Sequence, residues 1–146
     1  MPNIVKQIGI QGSVNASPRM YDFLSDRAKE LTDNFTTITS DPDFKYTYGS
    51  TNVNCTLNIN ANMLVNQELY FFITNSSSNK DITLTVKKPL AGVTPKMMCG
   101  GELESTTDDA TATATIEPGK TFEVSVLKLN RDNGDATPHV YFVRGA

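Results

Sequence analysis

Hydrophobic side chains recur at every second position in several short stretches of this chain. Val53, Cys55, Leu57 and Ile59 alternate with Asn54, Thr56, Asn58 and Asn60, and Ile82, Leu84 and Val86 alternate with Thr83 and Thr85. Ala112, Ala114 and Ile116 do the same among threonines. A period of two is that of a strand with one face in a core and one in water. The small alanine face would let a second layer approach closely. Glu68-Leu69-Tyr70-Phe71-Phe72-Ile73 is apolar on both faces and reads as a central strand. The polar run Asn75 to Lys80 leads from it to Ile82, which predicts a hairpin with the two strands as antiparallel neighbours. Glu117-Pro118-Gly119-Lys120 has the chemistry of a type II turn. After it, the apolar positions switch from Phe122, Val124 and Val126 to Leu127 and Leu129, which a strict pleat does not allow, so a bulge near Val126 is expected. Val140-Tyr141-Phe142-Val143 closes the series. With the weaker segments this makes roughly seven to nine strands, the number of an antiparallel two-sheet sandwich.

The N-terminal part reads differently. Residues 1–14 read as an extended arm or first strand, with Ile4, Val5, Ile8 and Ile10 as its expected apolar contacts, ended by Gln11-Gly12-Ser13. Ser17-Pro18 is a helix start, because serine accepts from first-turn amides and proline is tolerated at the first helical position. Met20, Phe23, Leu24, Ala28 and Leu31 then share one face of a short helix over 18–32, with Asp22, Asp26, Arg27, Lys29 and Glu30 around the other. Met20 and Phe23 join the arm as candidate partner contacts. Tyr46 and Tyr48 lie on one side of a weak strand, either covering the edge of the core or forming an exposed aromatic contact patch. The stretch from Pro89 to Asp109 is the longest irregular one. No repeat or linker interrupts the chain, so 1–146 is expected to be a single domain.

Composition removes several functions. The net charge is -3 and the 13 basic residues are scattered, which leaves no field for a phosphate backbone, so nucleic acid is not an expected partner. No run approaches the roughly 18 apolar residues of a membrane span, and Met-Pro-Asn-Ile-Val does not read as an export signal. The chain is thus expected to stay in the cytoplasm where it is made, or to leave inside a virus particle. Cys55 and Cys99 are expected to be free thiols. The one histidine, His139, opens an apolar strand and reads as capping a sheet edge, not as a base for Cys99. The carboxylate pairs Glu102 with Glu104, Asp108 with Asp109 and Asp132 with Asp135 lie in polar loops, where nothing raises a pKa for acid catalysis. Asp132, Asn133 and Asp135 lack the spacing of a calcium loop. No catalytic residue, metal ligand or cofactor site is therefore expected. The Asn-X-Ser/Thr sequons at Asn15, Asn34, Asn54 and Asn75 carry no weight without a secretory signal.

The order Leu69-Tyr70-Phe71-Phe72-Ile73-Thr74-Asn75, a Ser/Asn turn, Ile82-Thr83-Leu84-Thr85-Val86, and later Ile116-Glu117-Pro118-Gly119-Lys120 before Phe122-Glu123-Val124 resembles immunoglobulin-like and related β-sandwich modules. The implied fold is an all-β, immunoglobulin-like or jelly-roll-like sandwich with one short N-terminal helix and an extended arm. A small sandwich of this kind with an arm and no catalytic constellation resembles the accessory virion proteins of tailed bacteriophages: capsid decoration, head-fibre or neck components. The resemblance implies a non-enzymatic structural role, binding neighbouring major capsid or neck subunits in many copies or as a homo-oligomer. The alternative is a carbohydrate-binding or adhesin module for a host surface glycan, with Tyr46 and Tyr48 as a stacking platform and loop Asn and Asp side chains as hydrogen-bond partners.

Overall fold

The computed structural model describes residues 27–32, 34–89, 96–105, 111–130 and 139–146. These hold eleven strands: β1 (Ala28–Glu30), β2 (Thr37–Thr39), β3 (Tyr46–Thr51), β4 (Cys55–Asn58), β5 (Glu68–Asn75), β6 (Ile82–Lys87), β7 (Lys96–Gly101), β8 (Glu104–Ser105), β9 (Thr111–Ile116), β10 (Thr121–Asn130) and β11 (His139–Gly145). They form a six-stranded sheet, β1-β3-β5-β10-β11-β7, and a five-stranded sheet, β2-β4-β6-β9-β8. The described residues are all-β and sandwich-like, the two sheets contributing to one core. Leu57, Leu84, Val86 and Ala112 enter it from the smaller sheet, and Leu69, Phe71, Ile73, Val124 and Val126 from the larger.

The path of the chain is a coil. From β1 to β7 each strand lies in the sheet opposite its predecessor, so each sheet receives every second strand. Strands that return to a sheet after a full circuit run the same way, making β1-β3, β3-β5, β2-β4 and β4-β6 parallel. With the parallel β7-β11 pair, five of the nine pairings are parallel and four antiparallel. This corrects the antiparallel expectation. Period-two alternation reports which face of a strand is buried and carries no information on the direction of its neighbour.

The predicted Glu68–Val86 hairpin is likewise replaced by a corner. β5 and β6 lie in different sheets. Asn75, fully buried at the end of β5, donates from Nδ2 to the Lys80 and Ile116 carbonyls at 2.8 Å each, and its Oδ1 accepts from Ser77 N at 2.9 Å. A six-residue connection spans the ~10 Å between layers as readily as it closes a hairpin, and buried side-chain bonds choose between them. The turn after β9 is also a corner. Gly119 has φ 75° and Lys120 N bonds to the Glu117 carbonyl at 3.1 Å, as the Pro-Gly chemistry requires.

Four further expectations change. β10 pairs in unbroken register with β5 and β11, so no bulge forms at Val126; the pleat continues and turns Lys128 inward, leaving Leu127 and Leu129 on the outer face. The last third of the predicted helix is β1, where Ala28–Glu30 pair with Tyr46–Tyr48 and Leu31 packs on the core. Edge pairing supplies backbone partners there that outweigh the high intrinsic helix propensity of Ala28, Lys29, Glu30 and Leu31. The remainder of that helix, the arm, and the candidate contacts Ile4, Val5, Ile8, Ile10, Met20 and Phe23 lie outside the described residues. The supposed irregular stretch contains β7 and β8, which Met97-Met98-Cys99-Gly100-Gly101 conceals for want of β-branched residues. His139 pairs with Asn130 in β11, and β11 lies between β10 and β7, so its strand is interior and not an edge.

Candidate interaction face and polar cleft

The outer face of the six-stranded sheet is aromatic where β3 meets β5. Thr47 points into the core, which leaves Tyr46 and Tyr48 on the opposite side. Register sets Tyr46 beside Tyr70 and Tyr48 beside Phe72. The Tyr46 and Tyr70 rings stack with centroids 5.6 Å apart and planes 24° apart, and Phe72 lies 6.4 Å from Tyr46. Both tyrosines thus lie on the outer face of the sheet, Tyr46 half-buried and Tyr48 42% exposed. Farther across the same face, Leu127 on β10 pairs with Phe142 on β11, which pairs with Met98 on β7. Phe142 and Met98 are 41% and 44% exposed. Charges interleave these rows at Glu68, Glu123 and Arg144. The Tyr70 hydroxyl donates to the Glu68 carboxylate, and this bond, with partial burial, pushes its pKa up to about 12.

A second feature lies at the end of β2 and β4. These parallel strands pair through Thr39 and Asn58, so the segments that follow leave side by side. Each makes the same turn: Asp41 Oδ1 accepts from Asp43 N at 3.0 Å, and Asn60 Oδ1 accepts from Asn62 N at 2.8 Å. Ser40 Oγ accepts from Asn60 N at 2.7 Å and Gln67 Nε2 donates to the Pro42 carbonyl at 2.7 Å, which ties the two segments together. Between them is a cleft of about 610 Å³ with Lys29, Asp41, Asp43, Asn60 and Asn62 on its walls and Leu64 at its lip. Leu64 is 70% exposed. Its turn is held from below by Lys128, whose Nζ donates to the Ala61 carbonyl at 3.0 Å and the Met63 carbonyl at 2.6 Å and lies 5.7 Å from the Tyr141 ring centroid.

Sequence reasoning missed Tyr70, Phe72, Met98, Phe142 and the cleft. The outward aromatics of Tyr70-Phe71-Phe72 were legible as apolar on both faces, but that signal was spent on centrality. The cleft depends on two segments twenty residues apart meeting side by side. Cys55 is buried, and desolvation pushes its thiol pKa up to about 11; Cys99 is half-buried, and both are free. Among the described residues no group of three or more His, Cys, Asp or Glu side chains is arranged to hold a metal ion, and no helix is long and apolar enough to cross a membrane. No protein-family model, no curated protein and no solved structure matches this chain.

Proposed function

We propose that this chain is a non-enzymatic structural protein that works by contact, an accessory virion component of a tailed bacteriophage that binds neighbouring capsid or neck subunits in many copies. The observation that supports the reading is the outer face of the six-stranded sheet, where Tyr48, Phe142 and Met98 are each more than two-fifths exposed on strands locked into a sheet. Aromatic and methionine side chains are the types enriched where proteins meet, and a rigid sheet presents them without an ordering cost. Repetition over many copies supplies the strength that a patch of this size lacks alone. In this reading the chain is made in the host cytoplasm and resides in the virion, with neither nucleic acid nor membrane as partner. The arm residues Ile4, Val5, Ile8 and Ile10, with Met20 and Phe23, add contact area. The finer assignment to an immunoglobulin-like or jelly-roll-like type rests on the order of turns and strands in the sequence, against which the parallel pairings count.

The test is mass spectrometry of density-gradient-purified phage particles. The chain should be present at a fixed copy number relative to the capsid protein. A Tyr48→Asp, Phe142→Asp double variant should fold normally and be lost from the particles. Absence of the wild-type chain from every particle fraction overturns the proposal, as does undiminished incorporation of the double variant.

A further inference from the structure

We infer that the cleft between residues 39–43 and 60–67 is a binding site for neutral carbohydrate, separate from the aromatic face and independent of the role proposed for it. Its volume of about 610 Å³ falls within the roughly 300–1,000 Å³ usual for small-molecule sites. Its lining is the reverse of the usual apolar one. Carboxylates at Asp41 and Asp43, amides at Asn60 and Asn62 and the Lys29 ammonium offer acceptors and donors from both walls, the pattern that a ring of adjacent hydroxyl groups satisfies. Among the described residues the Asp43 and Asn62 side chains and the Lys29 Nζ make no hydrogen bond, and Lys29 Nζ lies 5.7 Å from the Phe44 ring centroid. Asp41 Oδ1 and Asn60 Oδ1, by contrast, are engaged in holding the two turns.

Charge narrows the class. Two carboxylates against one ammonium leave the walls net negative, which disfavours phosphates, sialic acids and acidic peptides and admits neutral sugars, N-acetylated ones included. The exposed Leu64 side chain at the lip supplies an apolar surface for the C–H face of a pyranose ring. The cleft is also pre-organised. The Gln67 and Ser40 bonds bridge its walls, and buried Lys128 anchors the turn that carries Leu64, so little ordering accompanies binding. The tyrosines are poorer stacking partners, because the Tyr46 ring already stacks on Tyr70 and has Lys45 Nζ 5.7 Å from its centroid.

The experiment is an array of immobilised oligosaccharides carrying neutral hexose, N-acetylhexosamine and sialylated termini, probed with the full chain. Hits are followed by titration of the free oligosaccharide. Neutral glycans should be retained and sialylated ones not. Asp43→Ala and Asn62→Ala should each weaken binding by about tenfold, the scale of one lost hydrogen bond to a charged or amide group. Both side chains are exposed, so the variants should keep the wild-type melting temperature. Tyr48→Asp, Phe142→Asp should bind glycan as the wild type does, whatever its fate in particles. Retention of no neutral glycan overturns the inference, and so does binding that survives both cleft substitutions or is lost with the aromatic face.

Discussion

Lys128 Nζ lies 2.6 Å from the carbonyl oxygen of Met63, beneath a turn whose tip is solvent-exposed. A lysine at an inward position of a central strand is costly to desolvate, and burial lowers its pKa from 10.5. The two carbonyl bonds and the Tyr141 ring offset that cost. Lys128→Ala should destabilise the fold by about 2–4 kcal/mol in urea unfolding, because two carbonyls lose their donor. Lys128→Met, which keeps the stem, should lose less. Hydrogen exchange should speed up at residues 61–67 in both variants; an unchanged rate there would refute the anchoring role.

Asn75 joins two corners between the sheets. Its backbone N bonds to the Lys120 carbonyl at 2.9 Å and its carbonyl accepts from Gly119 N at 2.8 Å, while its side chain holds Lys80 and Ile116. Asn75→Ala leaves the buried Ile116 carbonyl and the part-buried Lys80 carbonyl short of a donor and is expected to cost about 2–4 kcal/mol. Asn75→Asp, which replaces the donating amide by a buried acceptor, should cost at least as much. Thermal melts of the two variants check the ranking.

Cys55 predicts an alkaline limit to stability. Its thiol pKa is raised from 9.0 to about 11 in the folded chain, so between those values the unfolded chain loses a proton that the folded chain keeps. The stabilisation is whole below pH 9 and is lost as pH rises through 11, amounting to about 2–3 kcal/mol at most. Deprotonation of Lys128 works in the opposite sense, since its lowered pKa favours the folded state as pH rises toward 10.5. Comparing Cys55→Ala with wild type from pH 8.5 to 11 isolates the thiol: the downward slope should flatten in the variant.

The same burial separates the two thiols chemically. Native protein should consume about one equivalent of a thiol reagent quickly, at half-buried Cys99, with Cys55 reacting only on unfolding. Mass spectrometry of the labelled peptides identifies the site, and fast labelling of Cys55 would show that the core opens.

Gly119 sits at φ 75° with nothing within 4 Å of where a Cβ would be. Gly119→Ala should therefore cost only the conformational strain, about 1–2 kcal/mol, with no packing defect. A drop of several kcal/mol in chemical unfolding would mean that the corner serves more than a turn.

By itself, the sequence determined which side of each strand is buried. The alternation of Cys55 and Leu57, of Ile82, Leu84 and Val86, and of Ala112, Ala114 and Ile116 survives intact, because burial of a strand face is local and has a period of two. The Pro118-Gly119 turn was legible for the same reason, its dihedrals being intrinsic to those residues. Only the tertiary structure decided where each strand goes next. Whether residues 76–81 close a hairpin or descend to the other sheet depends on bonds from the buried Asn75 side chain to Lys80 and to distant Ile116. Whether β10 bulges or buries a lysine depends on carbonyls sixty-five residues away or more. The aromatic face and the cleft belong to that second category. The cleft and the Tyr46–Tyr70 part of the face arise where coiled parallel strands bring together segments about twenty residues apart, and no local pattern of polar and apolar residues encodes that juxtaposition.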